Sequence, residues 1–225
     1  MDDIKIITVK ENILASNDKE ANQLRNDMKK ERTYLLNIMS SPGSGKTTLL
    51  KATIKALKDE MKIGVLEADI DSDVDAKAIV EAGADSIQLH TGGMCHLTAD
   101  MTRQGIEAFA KGKHYDLLII ENVGNLVCPA EFDTRASDSV VLLSVPEGDD
   151  KALKYPLMFE VTSALIVTKA DVMPYFDFDF EKCEKNAHMR NKNLKVMKLS
   201  SKTGEGMEQW LDFLREKVNN AKEGK

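Results

Sequence analysis

Seven short apolar runs punctuate the chain, each closing on a glycine, serine, aspartate or proline: YLLNIMSS (34–41), KIGVLEAD (62–69), SIQLHTG (86–92), YDLLIIENVG (115–124), SVVLLSVP (139–146), ALIVTKAD (164–171) and LKVMKLSS (194–201). Continuous apolar runs of this length predict strands covered on both faces. Segments with helical spacing of their apolar residues, such as KTTLLKATIKALKDE (46–60) and DAKAIVEAG (75–83), lie between most of them. Strand–helix alternation predicts right-handed crossovers, and hence an α/β domain with a doubly wound, mostly parallel seven-stranded sheet and helices on both faces. A charged amphipathic helix is expected over Ile13–Arg32, packed on the outside of the core. This divides the chain into an N-terminal extension, 1–33, and a nucleotide-binding domain, 34–220. The lysine-rich end EKVNNAKEGK is expected to fray.

Composition narrows the function classes. With 42% hydrophobic and 30% charged residues over 225 positions, the chain can bury a full core as one domain. A net charge of −6 argues against binding nucleic acid or an anionic membrane through bulk attraction. No apolar run reaches the roughly 18 residues of a membrane span, and the acidic start lacks the pattern of a secretory signal, so a cytoplasmic protein is expected. Three cysteines in such a chain point to thiol or metal chemistry rather than a disulfide framework.

In doubly wound sheets ligands bind beyond the carboxyl ends of the strands, and the residues after each apolar run carry the chemistry. After the first run comes SSPGSGKTT (40–48), leading directly into a helix. Gly43, Ser44 and Gly45 offer backbone N–H groups to phosphate oxygens, Lys46 reaches the β and γ oxygens, Thr47 can ligate Mg²⁺, and Thr48 continues the cradle. Ser40 departs from the usual pattern, which has a glycine there. Glu121 and Gly124 fall where a D-x-x-G element would stand: Glu121 is a Mg²⁺ candidate and the Gly124 N–H can sense a γ-phosphate. Asn125 takes the place of a water-orienting glutamine, so slow intrinsic hydrolysis is expected. Asp69, Asp71, Asp73 and Asp75 crowd the segment after the second strand. Asp69 and Asp75 are candidates for Mg²⁺ or for positioning water, and at least one of Asp73 and Asp75 is expected to cap the next helix. Thr168-Lys169-Ala170-Asp171 resembles the N/T-K-x-D element that reads guanine, and Ser200-Ser201-Lys202-Thr203-Gly204 resembles the loop covering the base. A buried carboxylate at Asp171 would select GTP over ATP.

Cys95 and His96 follow the third strand and Cys128 follows the fourth. Loops after neighbouring parallel strands emerge on one edge, so these side chains can meet. Two thiolates and an imidazole suit Zn²⁺, or Ni²⁺ with added ligands. The open position would be filled by water, a partner molecule or a second copy of the chain. Cys183 reads as a small buried apolar group.

The stretches SSPGSGKTTLL, GGMCHLTADM, IIENVGNLVCPAEFD and SVPEGDDKALKYPLMF resemble the HypB hydrogenase nickel-incorporation GTPases, metallochaperones of the SIMIBI division of P-loop NTPases. The resemblance implies GTP and GDP as ligands, nickel or zinc at Cys95, His96 and Cys128, and a GTP-dependent homodimer. It also implies nickel delivery to the [NiFe]-hydrogenase large-subunit precursor with a HypA-type partner, and Lys151 or Lys154 reaching the nucleotide of the other subunit. A cysteine-rich or histidine-rich nickel-storage segment found in some members is absent from this sequence. A urease-type nickel accessory GTPase, an ATP-dependent kinase with structural cysteines, and a constitutive zinc-stabilised interaction protein remain alternative readings.

Overall fold

A computed structural model describes residues 5–8, 26–69, 74–109 and 112–224. In chain order the elements are β1 (Lys5–Thr8), β2 (Tyr34–Ser40), α1 (Lys46–Leu57), β3 (Ile63–Asp69), α2 (Val74–Ala82), β4 (Asp85–His90), α3 (Ala99–Phe109) and β5 (Leu117–Glu121). There follow α4 (Cys128–Glu131), β6 (Asp138–Ser144), α5 (Lys151–Lys154), α6 (Pro156–Glu160), β7 (Ala164–Thr168), α7 (Phe180–His188), β8 (Lys195–Lys198) and α8 (Met207–Lys222). Short 3₁₀ turns occupy Val145–Glu147 and Ala170–Tyr175.

The strands form one sheet in the order β1-β4-β3-β5-β2-β6-β7-β8, and every described pairing is parallel. All seven strands expected from the apolar runs are present. An eighth, β1, comes from the segment read as an outlying extension and pairs along β4 at the sheet edge. Of the helix expected over Ile13–Arg32, residues 26–31 are helical, with Met28 buried against the sheet; residues 9–25 lie outside the described residues.

Alternation along each strand distributes side chains between two apolar layers. Leu36, Ile38, Val65 and Ile119 face α1 and α8, where Leu50, Ile54, Trp210 and Leu214 complete one core. On the other face Leu35, Leu66, Leu89 and Ile120 pack on α3 through Met101 and Ile106. Further along that face Val141, Leu143 and Val167 meet Met158, Phe159, Cys183 and Ala187. Trp210, fully buried, donates its indole N–H to Thr53 Oγ1 at 2.9 Å, tying α8 to α1. Cys183 is 1% exposed within the third cluster, as its apolar reading anticipates.

The topology also locates the ligand crevice. The connection from β2 to β3 crosses to one side of β2, and that from β5 to β6 crosses to the other. Strand order therefore reverses at β2 and β5, whose carboxyl ends open a cleft rather than meeting a crossover helix.

Candidate functional site

The cleft at that reversal has a volume of about 650 Å³ and is lined by Gly43, Gly45, Lys46, Thr47, Thr48, Asp75, Glu121, Gly124 and Lys169, all anticipated from the sequence, together with Glu67 and Gln88. Its floor is the turn between β2 and α1. Gly45 stands at the N-cap of α1 with φ of 98°, a left-handed conformation that costs glycine little. Ser40, the departure from the usual loop sequence, is a fully buried hub. Its hydroxyl donates to Ser41 O at 2.8 Å and accepts from Ser44 Oγ at 2.5 Å and Lys46 Nζ at 2.8 Å. The Ser44 side chain is thus turned inward, leaving its backbone for the cradle. Burial lowers the Lys46 pKa, against the opposing pull of Glu121, Glu67, Asp75 and Glu147.

Strand register explains the acidic wall. Glu67 and Glu121 are direct partners across β3 and β5, so both carboxyls project from the same face of the sheet toward the start of α1. Thr47 Oγ1 donates to Glu121 Oε1 at 3.0 Å. Glu67 Oε1 and Glu121 Oε2 are buried without an N–H or hydroxyl donor. The two carboxyls interact with each other, and burial first, then the neighbouring Glu121 charge, push the Glu67 pKa well up. Burial raises Glu121 to about 7, against the pull of Lys46. Two adjacent buried carboxylates require a shared proton or a cation. With Thr47 and Asp75 alongside, this donor set fits Mg²⁺, a hard ion with oxygen ligands. Asp69 ends β3, next to His90 in register; Asp71 and Asp73 lie outside the described residues.

The expected base-reading elements flank the cleft and brace its floor. Thr168 Oγ1 donates to Ser44 O at 2.6 Å, and Lys169 Nζ donates to Gly43 O at 2.7 Å, so β7 holds the phosphate loop directly. Asp171 Oδ1 accepts from Ser200 Oγ at 2.7 Å, and the Thr203 N–H donates to the same hydroxyl at 3.2 Å. The two base elements are thereby joined to each other, with Ser201 half-buried and Lys202 exposed beside them.

Gly124 links this site to the cysteines. A β-carbon built there would lie 3.0 Å from Pro42 N and 3.1 Å from Pro42 Cα. The loop after β5 is therefore pressed against the phosphate loop. Beneath it, Asn122 Nδ2 donates to Asn37 Oδ1 at 3.1 Å and the Val123 N–H donates to Asn122 Oδ1 at 2.9 Å, fastening the loop to β2. Four residues beyond Gly124, Cys128 opens α4. The ligand atoms of Cys95, His96 and Cys128 all lie within 4.8 Å of one another, with Cys95 Sγ and His96 Nδ1 at 3.8 Å. Ligands about 2.0–2.3 Å from a shared ion stand about 3.6 Å apart in tetrahedral geometry, so only slight closure is needed. Cys95 raises the Cys128 pKa, first by hydrogen bonding; two thiolates this close need a cation between them.

Five residues were missed from the sequence. Asn37, Glu67 and Gln88 are buried polar groups inside otherwise apolar strands, and that interruption was the available signal. Asn122 lay unremarked inside the IIENVG stretch. Phe132, which stacks on His96 with ring centroids 3.6 Å apart and planes at 14°, carried none. Lys154, read as a candidate to reach another subunit, pairs with Asp150 at 2.7 Å, and Lys151 lies over the Tyr155 ring.

Known proteins resemble this chain over most of its length. The model of the CobW/HypB/UreG nucleotide-binding domain matches residues 34–198. The hydrogenase maturation factor HypB of Rhizobium leguminosarum bv. viciae is 46% identical over 210 residues, spanning 93% of this chain and 70% of that protein. The hydrogenase/urease maturation factor HypB of Helicobacter hepaticus is 43% identical over 216 residues, 95% of this chain and 88% of its own. The crystal structure of HypB from Helicobacter pylori in complex with nickel superposes with a TM-score of 0.85 at 39% identity, covering 92% of this chain and 96% of that one. The chain therefore belongs to the CobW/HypB/UreG family of P-loop nucleotide-binding proteins, and within it to the HypB hydrogenase maturation factors.

Proposed function

We propose that this protein is a GTP-hydrolysing nickel metallochaperone whose nucleotide state sets the geometry of a metal site at Cys95, His96 and Cys128. The observation that carries the reading is the meeting of those three ligands, one of them, Cys128, on the chain segment that continues from Gly124, itself in contact with the phosphate loop. Gly43, Ser44, Gly45, Lys46, Thr47 and Thr48 hold the phosphates, and Asp171, with Thr168, Lys169, Ser200, Ser201 and Lys202 around it, selects guanine. Thr47 and Glu121, with Asp69 or Asp75, would hold Mg²⁺, which when bound offsets charge on the transferring phosphoryl group. Asp75 positions the attacking water, and the products are GDP and phosphate. Asn125 cannot act as a glutamine would, so turnover stays low without a partner.

GTP brings two copies together, and the second copy or solvent completes the metal coordination. Nickel then passes to the [NiFe]-hydrogenase precursor in the cytoplasm, with a HypA-type chaperone. The name of the Helicobacter hepaticus relative joins hydrogenase with urease and supports a second acceptor, a urease precursor. Steady-state hydrolysis of GTP and ATP, with sedimentation in GDP and in a non-hydrolysable GTP analogue, tests the reading. Slow hydrolysis confined to GTP and dimers with the analogue are expected; ATP preference with transfer to an acceptor would instead indicate a kinase.

A further inference from the structure

Only one of the three proposed ligands sits on the segment that leaves the nucleotide cleft. Cys128 opens α4 directly after the loop carrying Gly124, whereas Cys95 and His96 belong to the loop after β4. A movement of α4 would by itself shift one sulfur and leave the other two ligands where they were. Phe132 changes this. It follows α4 immediately, four residues after Cys128, and lies face to face with the His96 imidazole at 3.6 Å and 14°.

The imidazole is 9% exposed, its Nε2 is shielded from solvent, and its Nδ1 faces Cys95 Sγ at 3.8 Å. A ring stacked this closely fixes the plane of its partner, and the plane sets where the lone pair of one ring nitrogen and the N–H of the other point. Losing a group that orients a ligating histidine typically costs about 10- to 100-fold in metal affinity. We propose that Phe132 is a positioning residue for His96, tying the imidazole to the helix that carries Cys128 so that a nucleotide-driven shift of α4 reaches two protein ligands rather than one.

The proposal rests on the metal reading above, and the experiment separates the two. Phe132→Leu keeps apolar bulk without a ring plane, and Phe132→Tyr keeps the ring; Phe132 is half-buried, so both are expected to fold, as circular dichroism and GDP binding would report. Full-length protein is titrated with Ni²⁺ in GDP and in a non-hydrolysable GTP analogue, following thiolate-to-nickel charge-transfer absorption. Phe132→Leu is expected to weaken nickel binding about ten-fold, to move the absorption toward that of His96→Ala, and to shrink the difference between nucleotides. Phe132→Tyr is expected to restore all three. If Phe132→Leu matches the unmodified protein in affinity, spectrum and nucleotide response while Cys95→Ala and Cys128→Ala abolish the band, the positioning role is wrong and the metal site stands. If the cysteine variants retain nickel unchanged, the metal reading itself falls. Should Phe132→Leu misfold, Phe132→Met gives the same comparison.

Discussion

Replacing Gly124 by alanine should weaken the GTP-bound arrangement selectively. Gly124 does not have positive φ, so alanine meets no backbone strain there. What it meets is the phosphate loop: the new methyl lies 3.0 Å from Pro42 N and 3.1 Å from its Cα and Cγ. Carbon contacts are comfortable at about 3.5–4.0 Å, so one loop must retreat by roughly half an ångström. The phosphate loop resists, because Thr168 and Lys169 hold the carbonyls of Ser44 and Gly43. The loop after β5 must yield, which draws the Gly124 N–H away from a γ-phosphate. Overpacking of this kind costs about 1–3 kcal/mol, or roughly 5- to 150-fold in affinity. Titration with fluorescent GDP and a fluorescent non-hydrolysable GTP analogue measures the effect. The Gly124→Ala protein should lose far more affinity for the analogue than for GDP. Equal losses for both nucleotides, or none, would refute the idea that this contact senses the γ-phosphate.

Other expectations follow from the same geometry. The raised pKa values of Glu67 and Glu121 mean that, without Mg²⁺ and nucleotide, their contribution to stability is full below the ordinary carboxyl value of 4.5 and falls as pH rises above it, the Glu121 part being lost through about 7. Thermal melts across this window should show the decline, and Glu67→Gln should flatten it; a pH-independent melt would contradict the buried acid pair. Asp171→Asn removes the carboxylate that Ser200 orients and should weaken GTP and GDP at least about 100-fold, read by equilibrium binding. Trp210→Ala, by opening a cavity between α1 and α8, should lower stability by about 3–5 kcal/mol in urea unfolding while leaving the metal ligands in place. Burial pushes the Cys183 thiol up to about 12, so alkylation of the native protein should label Cys95 and Cys128 first, and nickel should protect those two.

Much of the fold was legible because a parallel sheet covered on both faces writes continuous apolar runs, and all seven such runs became strands. The edge strand Lys5–Thr8 was missed although its sequence, KIIT, is rich in β-branched residues: so short a run beside a charged segment was absorbed into the expected extension. The glycine-rich turn 40–48 and the Thr168–Asp171 element stand out in sequence by their fixed spacing; Cys95, His96 and Cys128 stand out only by residue type, and they meet although β4 and β5, whose loops carry them, are separated by β3 rather than neighbours as expected. The supporting groups do not stand out. Asn37 on β2 meets Asn122 after β5 only because the strands are neighbours, across 85 positions of sequence. Phe132 gains its role from a stacking partner 36 positions away, arithmetic that sequence spacing does not expose. Even the Ser40 departure makes sense only in three dimensions, where a hydroxymethyl group in place of a hydrogen holds Ser44 and Lys46 through its oxygen.

The claim at the centre is that one segment, from Glu121 through Gly124 to Cys128, makes nucleotide state and metal affinity a single equilibrium. The most direct measurement is the dissociation constant of Ni²⁺ in saturating GDP and in a saturating non-hydrolysable GTP analogue, repeated with Cys128→Ala. The account predicts different constants for the two nucleotides, a reciprocal shift of nucleotide affinity by nickel of the same factor, and loss of both effects in the variant. Identical nickel constants in the two nucleotide states would contradict it.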